Sequence, residues 1–274
     1  VSVIYENVDM VLISAFVNPL AVIIYSNYKY ITKYLSDLMF QVSTSITSSM
    51  GNLLNTERDD HSFYTYEMIN TMFYFVGCFL TVALGYCINS FIVVWVGDGK
   101  LFDPVSLACI LFTLYHNVVR RSQYMLKDIF ALYKELQLVS IAEAVLNTVL
   151  SLALVMRFGI SGVLVATVVS TMLTNFWYFP KYLYREIFNK GPWLDLAKYL
   201  CVLAWAAIIV VLSNRFLPAI PDSGYVSWFV GSCIYSLGVL AVLFALFFAV
   251  FRSFRRLVAQ SMEMLKAIVK RKNC

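Results

Sequence analysis

Apolar residues fill this 274-residue chain in long blocks, divided by short turn-forming connections: Asn18-Pro19, Asn55 to His61, Gly97 to Pro104, Lys134-Glu135, Phe158-Gly159, Asn189 to Pro192 and Leu217 to Gly224. A helix needs about 20 predominantly apolar residues to cross a bilayer, and Pro, Gly and Asn at such connections stop helices. The pattern predicts eight helices, at residues 2–17, 20–52, 63–88, 104–132, 135–156, 159–180, 193–214 and 225–251. The second and fourth exceed the bilayer and are expected to tilt or protrude. The fold class is therefore all-α, a polytopic helical membrane protein with about eight transmembrane helices. In the tail, residues 252–274, Phe254, Leu257, Val258, Met262, Leu265, Ile268 and Val269 recur at helical spacing among cations. That spacing predicts a helix lying on an anionic leaflet.

Composition agrees. The chain is 61% hydrophobic and 14% charged, far more apolar surface than one compact core can bury, so the excess faces lipid. Its net charge of +5 gathers in alternate connections. One set holds Arg58, then Arg120, Arg121, Lys127 and Lys134, then Lys181, Arg185 and Lys190, then the cations of the tail; the other holds Lys100, Arg157 and Arg215. Cytoplasmic loops carry the excess of Lys and Arg, so both ends are expected in the cytoplasm. That distribution speaks for topology and against nucleic acid. Five cysteines lie in apolar blocks without paired spacing, Cys274 closes the chain, and His61 and His116 are the two histidines. Neither a disulfide framework nor a metal centre is expected. The chain opens on Val1 inside an apolar stretch, which reads as part of a longer protein.

Polar residues within the blocks form stripes. The second block carries Ser26, Lys29, Lys33, Asp37, Gln41, Ser45 and Ser48 at steps of three or four, which stacks them on one helix face. Lys or Asp at a helix centre costs about 2.5–3.5 kcal/mol on insertion scales, so this face should line a water-filled cavity or meet a partner. The fifth block repeats the pattern with Ser140, Glu143, Asn147 and Ser151, the fourth has Thr113, Asn117, Arg120 and Tyr124 beside His116 and Arg121, and the sixth has Thr167, Thr171 and Thr174. Threonines need no water and are expected to serve helix packing. Asp9 and Lys29 each lie ten residues from Pro19, which sets them at similar depth, as it nearly does Glu6 and Lys33. A structural ion pair and a coupling-ion or substrate site fit equally. No nucleophile elbow, phosphate-cradling glycine loop or paired histidine occurs, and Asp59-Asp60 reads as a solvated loop, so neither an enzyme nor a cofactor is expected.

The stretches DMVLISAFVNPLAVIIYSNY, WVGD at 95–98, RSQYMLKDIFALY at 121–133 and above all EAVLNTVLSLALVMRFGISGVLVATVVST at 143–171 resemble the C-terminal half of bacterial polysaccharide flippases. These are the O-antigen and capsule repeat-unit exporters of the multidrug/oligosaccharidyl-lipid/polysaccharide transporter superfamily. The resemblance covers roughly Asp9 to Lys190. It implies that residues 1–190 are a six-helix lobe, that 191–251 add two spans and that 252–274 are a cytoplasmic tail. It implies a protein of the inner membrane that moves undecaprenyl-pyrophosphate-linked oligosaccharide by alternating access. The partners implied are that lipid-linked glycan, membrane lipids and a first lobe, which is missing here. Lys29, Lys33, Arg120 and Arg121 would then meet pyrophosphate; Tyr25, Tyr28, Tyr124, Asn117 and Asn147 suit sugar contacts; Asp9 and Glu143 would take up a coupling ion.

Other readings remain open. A multidrug exporter would use acidic residues against cationic drugs, and a lipid II flippase would share the same design. A membrane glycosyltransferase or acyltransferase would need a clustered acidic or histidine site at the interface, and a structural subunit would need none. The alternating charge count is testable in a cysteine-free background. Gly99→Cys and Asp222→Cys should react with an impermeant maleimide in intact cells, and Asp59→Cys and Phe188→Cys should not; the reverse labelling would invert the topology.

Overall fold

The computed structural model describes residues 2–56, 60–221 and 224–272, with side chains for 8–54, 62–221, 224–263 and 266. Glu6, Arg58, Asp59-Asp60, His61, Leu265 and Ile268 to Cys274, all weighed above, have side chains outside this set. The fold is all-helical, 90% helix, with no strand among the described residues. In chain order the helices are α1 (Ser2–Phe16), α2 (Pro19–Thr56), α3 (Asp60–Val96), α4 (Pro104–Val119), α5 (Arg121–Ile129), α6 (Tyr133–Leu173), α7 (Asn175–Phe188), α8 (Trp193–Phe216), α9 (Tyr225–Val250) and α10 (Arg252–Lys272). Among the described residues, four helical stretches are long and apolar enough to cross a membrane: Ser62–Val96, Tyr133–Phe188, Trp193–Phe216 and Tyr225–Val250.

The second of these stretches is not straight. Gly159 sits at φ 57°, ψ −132°, a conformation that costs a residue with a Cβ heavily. In an unbroken helix Asn147 and Thr167 would stand about 30 Å apart; here Asn147 Nδ2 donates to Thr167 Oγ1 at 3.0 Å. The chain therefore doubles back at Gly159, and α6 is a hairpin whose arms are 133–158 and 160–173. Close approach of the arms depends on Gly162, where a Cβ would lie 2.5 Å from the Leu154 carbonyl oxygen. The Phe158-Gly159 break expected from the sequence is this reversal. The second arm ends at Thr174 and α7 continues to Asn189, whose left-handed backbone caps it while the Lys190 amide donates to the Tyr184 carbonyl.

The fourth predicted block also differs from a single helix: a one-residue turn at Arg120 separates α4 from α5. Asp103 caps α4, accepting from the Val105 and Ser106 amides at 3.1 Å each, with Pro104 following at a position where its missing N–H is harmless. The same carboxylate accepts from Ser106 Oγ at 2.6 Å and Ser161 Oγ at 2.9 Å, so the cap also ties α4 to the hairpin bend. Burial pushes the Asp103 carboxyl up, but the hydrogen bonds from Ser106, Ser161 and the amides outweigh it and hold it below the usual carboxylate range.

α3 is the axle. It packs against α4, α8 and α9, and more lightly against α2, α5 and α10. Residues 191–251 thus share one core with the helices before them: Tyr74, Cys78 and Val82 of α3 meet Tyr115 and Val119 of α4, Tyr199 and Val202 of α8, and Leu243 and Phe247 of α9. A second cluster joins Ile13, Tyr25, Tyr28, Ile88, Phe102 and Val163 at the Gly159 end, and a third joins Met50, Tyr66, Leu126, Leu136, Phe179 and Tyr184 at the other. The buried Tyr28 keeps its hydroxyl paired, as a polar group away from water requires; it donates to Asn89 Oδ1 at 2.8 Å, accepts from the Phe102 amide at 3.2 Å and stacks on the Phe102 ring.

The expected tail helix is present as α10, and its first turns pack on the protein. Phe251 is extended between α9 and α10, and α10 then packs on its own protein. Phe254 is buried among Phe75, Phe244 and Phe247, Leu257 and Val258 join the same core, and Thr71 Oγ1 donates to Ser253 Oγ at 3.0 Å. The start of the apolar face is thus taken by α3 and α9 rather than by lipid. The hairpin geometry gives a stability test. Gly162→Ala should cost about 1–3 kcal/mol by overpacking against Leu154 and lower the unfolding temperature in detergent. Gly238→Ala, where a Cβ would meet nothing within 4 Å, should leave that temperature unchanged.

Candidate functional site

Polar side chains lie in three settings, and only one is open. On α2, none of Ser26, Lys29, Lys33, Asp37, Gln41, Ser45 and Ser48 is buried. Lys33 and Asp37 pair at 3.7 Å with side chains 44% and 49% exposed, the i, i+4 contact expected from their spacing. The matched depth of Asp9 and Lys29 is also realised: Tyr25 Oη donates to Asp9 Oδ2 at 2.8 Å, the Lys29 ammonium lies 5.2 Å from the Tyr25 ring centre, and its charge acts on Asp9. α5 borders this face. The Arg121 guanidinium lies 5.1 Å from the ring centre of Phe40 and 5.9 Å from that of Tyr124, within electrostatic reach of Asp37. Lys127 stands 5.7 Å from the Tyr124 ring and 4.9 Å from Tyr133. Lys29, Lys33, Arg121 and Lys127 therefore mark one cation-rich side of α2 and α5. Beyond the hairpin, an open groove of about 440 Å³ runs between Leu138, Ala142, Leu173 and Trp177, with Lys181 in its lining.

The second setting is the inside of the hairpin. Glu143, Asn147 and Ser151 of the first arm are buried. Glu143 accepts from Thr171 Oγ1 at 2.5 Å and from Asn175 Nδ2, while Asn147 Nδ2 reaches Thr167 Oγ1 at 3.0 Å and Ser170 Oγ at 3.4 Å. The polar stripes of the fifth and sixth blocks are thus one interface seen from its two sides, and the threonines act as packing partners. Glu143 bonds residues on both sides of the break at Thr174, so it braces that break. Ser140 alone of its stripe stays exposed.

The third setting holds Arg120. Its Nη1 donates to Asp195 Oδ2 at 2.9 Å with side chains 3% and 0% exposed, so the pair is sealed from solvent. Gln123 Nε2 donates to the same oxygen at 2.9 Å, and Asn70 Nδ2 and Tyr74 Oη donate to Asp195 Oδ1 at 2.9 Å each. Four donors saturate the carboxylate. Arg120 Nη2 also donates to the Phe176 carbonyl at 3.3 Å, and its guanidinium lies 4.7 Å from the Tyr199 ring centre. Tyr199 in turn contacts His116 Nδ1 at 3.0 Å, and Tyr115 Oη donates to the Tyr199 carbonyl at 2.9 Å. A satellite pair, Lys198 with Glu67 at 2.7 Å, lies one turn along α8, with Tyr184 Oη donating to Glu67 at 3.0 Å.

Sequence reading named Arg120 and passed over its partners. Asp195 and Lys198 hold the first turn or so of an otherwise apolar helix, and Glu67, Asn70, Thr71 and Tyr74 fall at i, i+3, i+4 and i+7 on α3. Those two signals would have located the cluster. Of the residues singled out, the structure groups Asp9, Tyr25, Lys29 and Lys33 along α2, and Arg121 and Tyr124 beside them. Tyr28 turns to Asn89, Asn147 and Glu143 to the hairpin interior, and Arg120 to Asp195. Asn117 is half-buried on α4. Among the described residues no group of His, Cys, Asp and Glu could hold a metal ion.

The chain matches no protein-family model, no curated protein and no solved structure.

Removing one member of a sealed ion pair leaves the other buried and unpaired, at about 3–5 kcal/mol. Arg120→Gln and Asp195→Asn should each lower membrane abundance and thermal stability sharply. The double variant should recover much of the loss, because two neutral amides can bond to each other and to Asn70 and Tyr74. Equal instability of the double and single variants would show that the charges themselves are required.

Proposed function

We propose that this chain is one lobe of a membrane transporter for an amphipathic lipid anion of the undecaprenyl-pyrophosphate-linked oligosaccharide class, moved by alternating access. The observation that carries the reading is the α2 face: a charged stripe along a helix of a membrane protein, none of whose seven residues is buried by the described residues. In lipid such a face is costly, so it borders water or a partner. Its cations, Lys29 and Lys33 with Arg121 alongside, suit pyrophosphate, and Tyr124, Gln41 and the serines offer hydrogen bonds to sugar hydroxyls. The resemblance of 9–190 to polysaccharide flippases points the same way, and a second lobe, in the same chain or another, would close the cavity over this face.

In this reading the chain crosses the inner membrane eight times. α1, α2, α3, α4 with α5, the first arm of α6, the second arm with α7, α8 and α9 are the crossings, and both ends stay in the cytoplasm. Asp9 is the ion-coupling carboxylate, since it is half-exposed and Lys29 of the α2 stripe acts on it; Glu143 is engaged inside the hairpin and serves structure. Cations outnumber carboxylates on the face and favour an anionic cargo over a cationic drug.

The test separates transport from folding. In cells whose surface glycan depends on this protein, Lys29→Gln, Lys33→Gln and Arg121→Gln should keep normal membrane abundance and lose most surface glycan. Arg120→Gln should instead lose abundance first. Wild-type export in all three face variants would sink the cation-lined path. Low abundance of Lys29→Gln restored by Asp9→Asn/Lys29→Gln would make that pair a structural one.

A further inference from the structure

Two adjacent arginines take different roles at the turn between α4 and α5. Arg120 points inward, where Asp195 and the Phe176 carbonyl take up donors of both terminal nitrogens. Arg121, the first residue of α5, turns to α2 instead. Its guanidinium carbon lies 5.1 Å from the ring centre of Phe40 and 5.9 Å from that of Tyr124, which stands one turn further along α5. The side chain is half-buried. Its Nε is sealed from solvent with no hydrogen-bond partner, while the terminal pair, Nη1 and Nη2, reaches the surface.

Rings and carboxylates make different demands on a guanidinium. A ring face attracts the charge through its π cloud, so Phe40 and Tyr124 fix where the group stands and leave its fork of donors unspent. The carboxylates within electrostatic reach are Asp37 and Asp128, and both are engaged: Asp37 with Lys33 at 3.7 Å, Asp128 with Lys127 at 3.2 Å. Among the described residues neither forms an ion pair with Arg121. A cation stripped of part of its water and given no counter-ion is costly. The fold therefore presents a positioned guanidinium whose anion comes from elsewhere, and a phosphate, with two oxygens spaced to meet two parallel N–H bonds, matches that fork.

We infer that Arg121 is the residue of the α2 face that recognises phosphate, by a bidentate contact from Nη1 and Nη2, and that the lysines of the stripe cannot substitute for it. The inference rests on the proposed reading of that face as the path of a lipid-linked phosphate. An ammonium acts as a point charge and draws any anion, whereas a planar fork discriminates by geometry. Because the two rings hold the fork before the ligand arrives, binding spends little on ordering the side chain.

Affinity for undecaprenyl phosphate, measured on the purified full chain in detergent, tests this, with undecaprenol as the uncharged comparison. The wild type should prefer the phosphate. Arg121→Gln should weaken phosphate binding roughly ten- to a hundredfold, the range for hydrogen bonds to a charged group. Arg121→Lys should still lose about tenfold, because the charge stays and the fork goes. Undecaprenol binding should not change in either variant. The unfolding temperature should also hold, in contrast to Arg120→Gln, because no described partner is orphaned. Arg215→Gln, on a different connection, should bind as the wild type does. Wild-type affinity in Arg121→Lys overturns the fork and leaves the proposed function standing, whereas a wild type that cannot tell the phosphate from undecaprenol overturns both. Loss of stability without loss of binding assigns Arg121 to a carboxylate of another segment or copy and overturns the site. So does displacement of the lipid by an equal concentration of inorganic phosphate, which makes the occupant a soluble anion.

Discussion

A guanidinium and a carboxylate sealed from solvent cost several kcal/mol each to strip of water, and only close pairing with every lone pair occupied offsets that. The Arg120–Asp195 pair imposes this demand on the fold. Asp195 needs Asn70 and Tyr74 from α3, Arg120 from the turn between α4 and α5, and Gln123 from α5, all at 2.9 Å. Four helices must therefore arrive together. α3 becomes the axle because it supplies two of the donors, and α8 cannot be an appendage because it supplies the carboxylate. In a solvent as apolar as the side chains, packing and hydrogen bonds rather than hydrophobic burial hold helices together, so a saturated charge of this kind specifies which helices meet.

The polar groups of the hairpin and of the ion pair turn inward, and the Glu143 and Asp195 carboxylates take their hydrogen bonds from inside the molecule. The α2 face is the opposite. Lys33 and Asp37 are partnered with each other, yet with side chains 44% and 49% exposed they remain open to whatever lies alongside. Chemistry that acts on a ligand needs groups whose bonds can be exchanged. Arg120 has a charge as strong as Lys33, but its bonds are committed to Asp195 and Phe176, so the two cations differ in availability.

The sequence was most legible where a single helix decides the outcome. Turn residues gave the breaks at Pro19, Gly159 and Gly191-Pro192, and periodicity gave the α2 stripe and the Lys33–Asp37 contact. It was least legible where two helices decide together. The serines, asparagine and glutamate of the first hairpin arm look the same in sequence whether they face water or Thr167 and Thr171, because rotation of one helix against another is not encoded in its own spacing. Arg120 was read as a phosphate partner for the same reason: its own partner lies 75 residues away, at the start of another helix. The α10 face was read for lipid because an apolar stripe fits a bilayer and Phe75 equally well.

The hairpin bend at Gly159 bears on how the protein is made. A nascent chain enters the membrane from its N-terminal side, and the first arm emerges with Glu143, Asn147 and Ser151 aligned on one face. Alone in lipid that arm would expose a carboxylate and two further polar groups. Its partners, Thr167, Ser170, Thr171 and Asn175, are synthesised roughly 20–30 residues later, about one to several seconds at ordinary elongation rates. The first arm must wait at the insertion machinery until the second has followed. Biogenesis then treats the pair as one unit, released to the bilayer only after the bend has brought the two faces together.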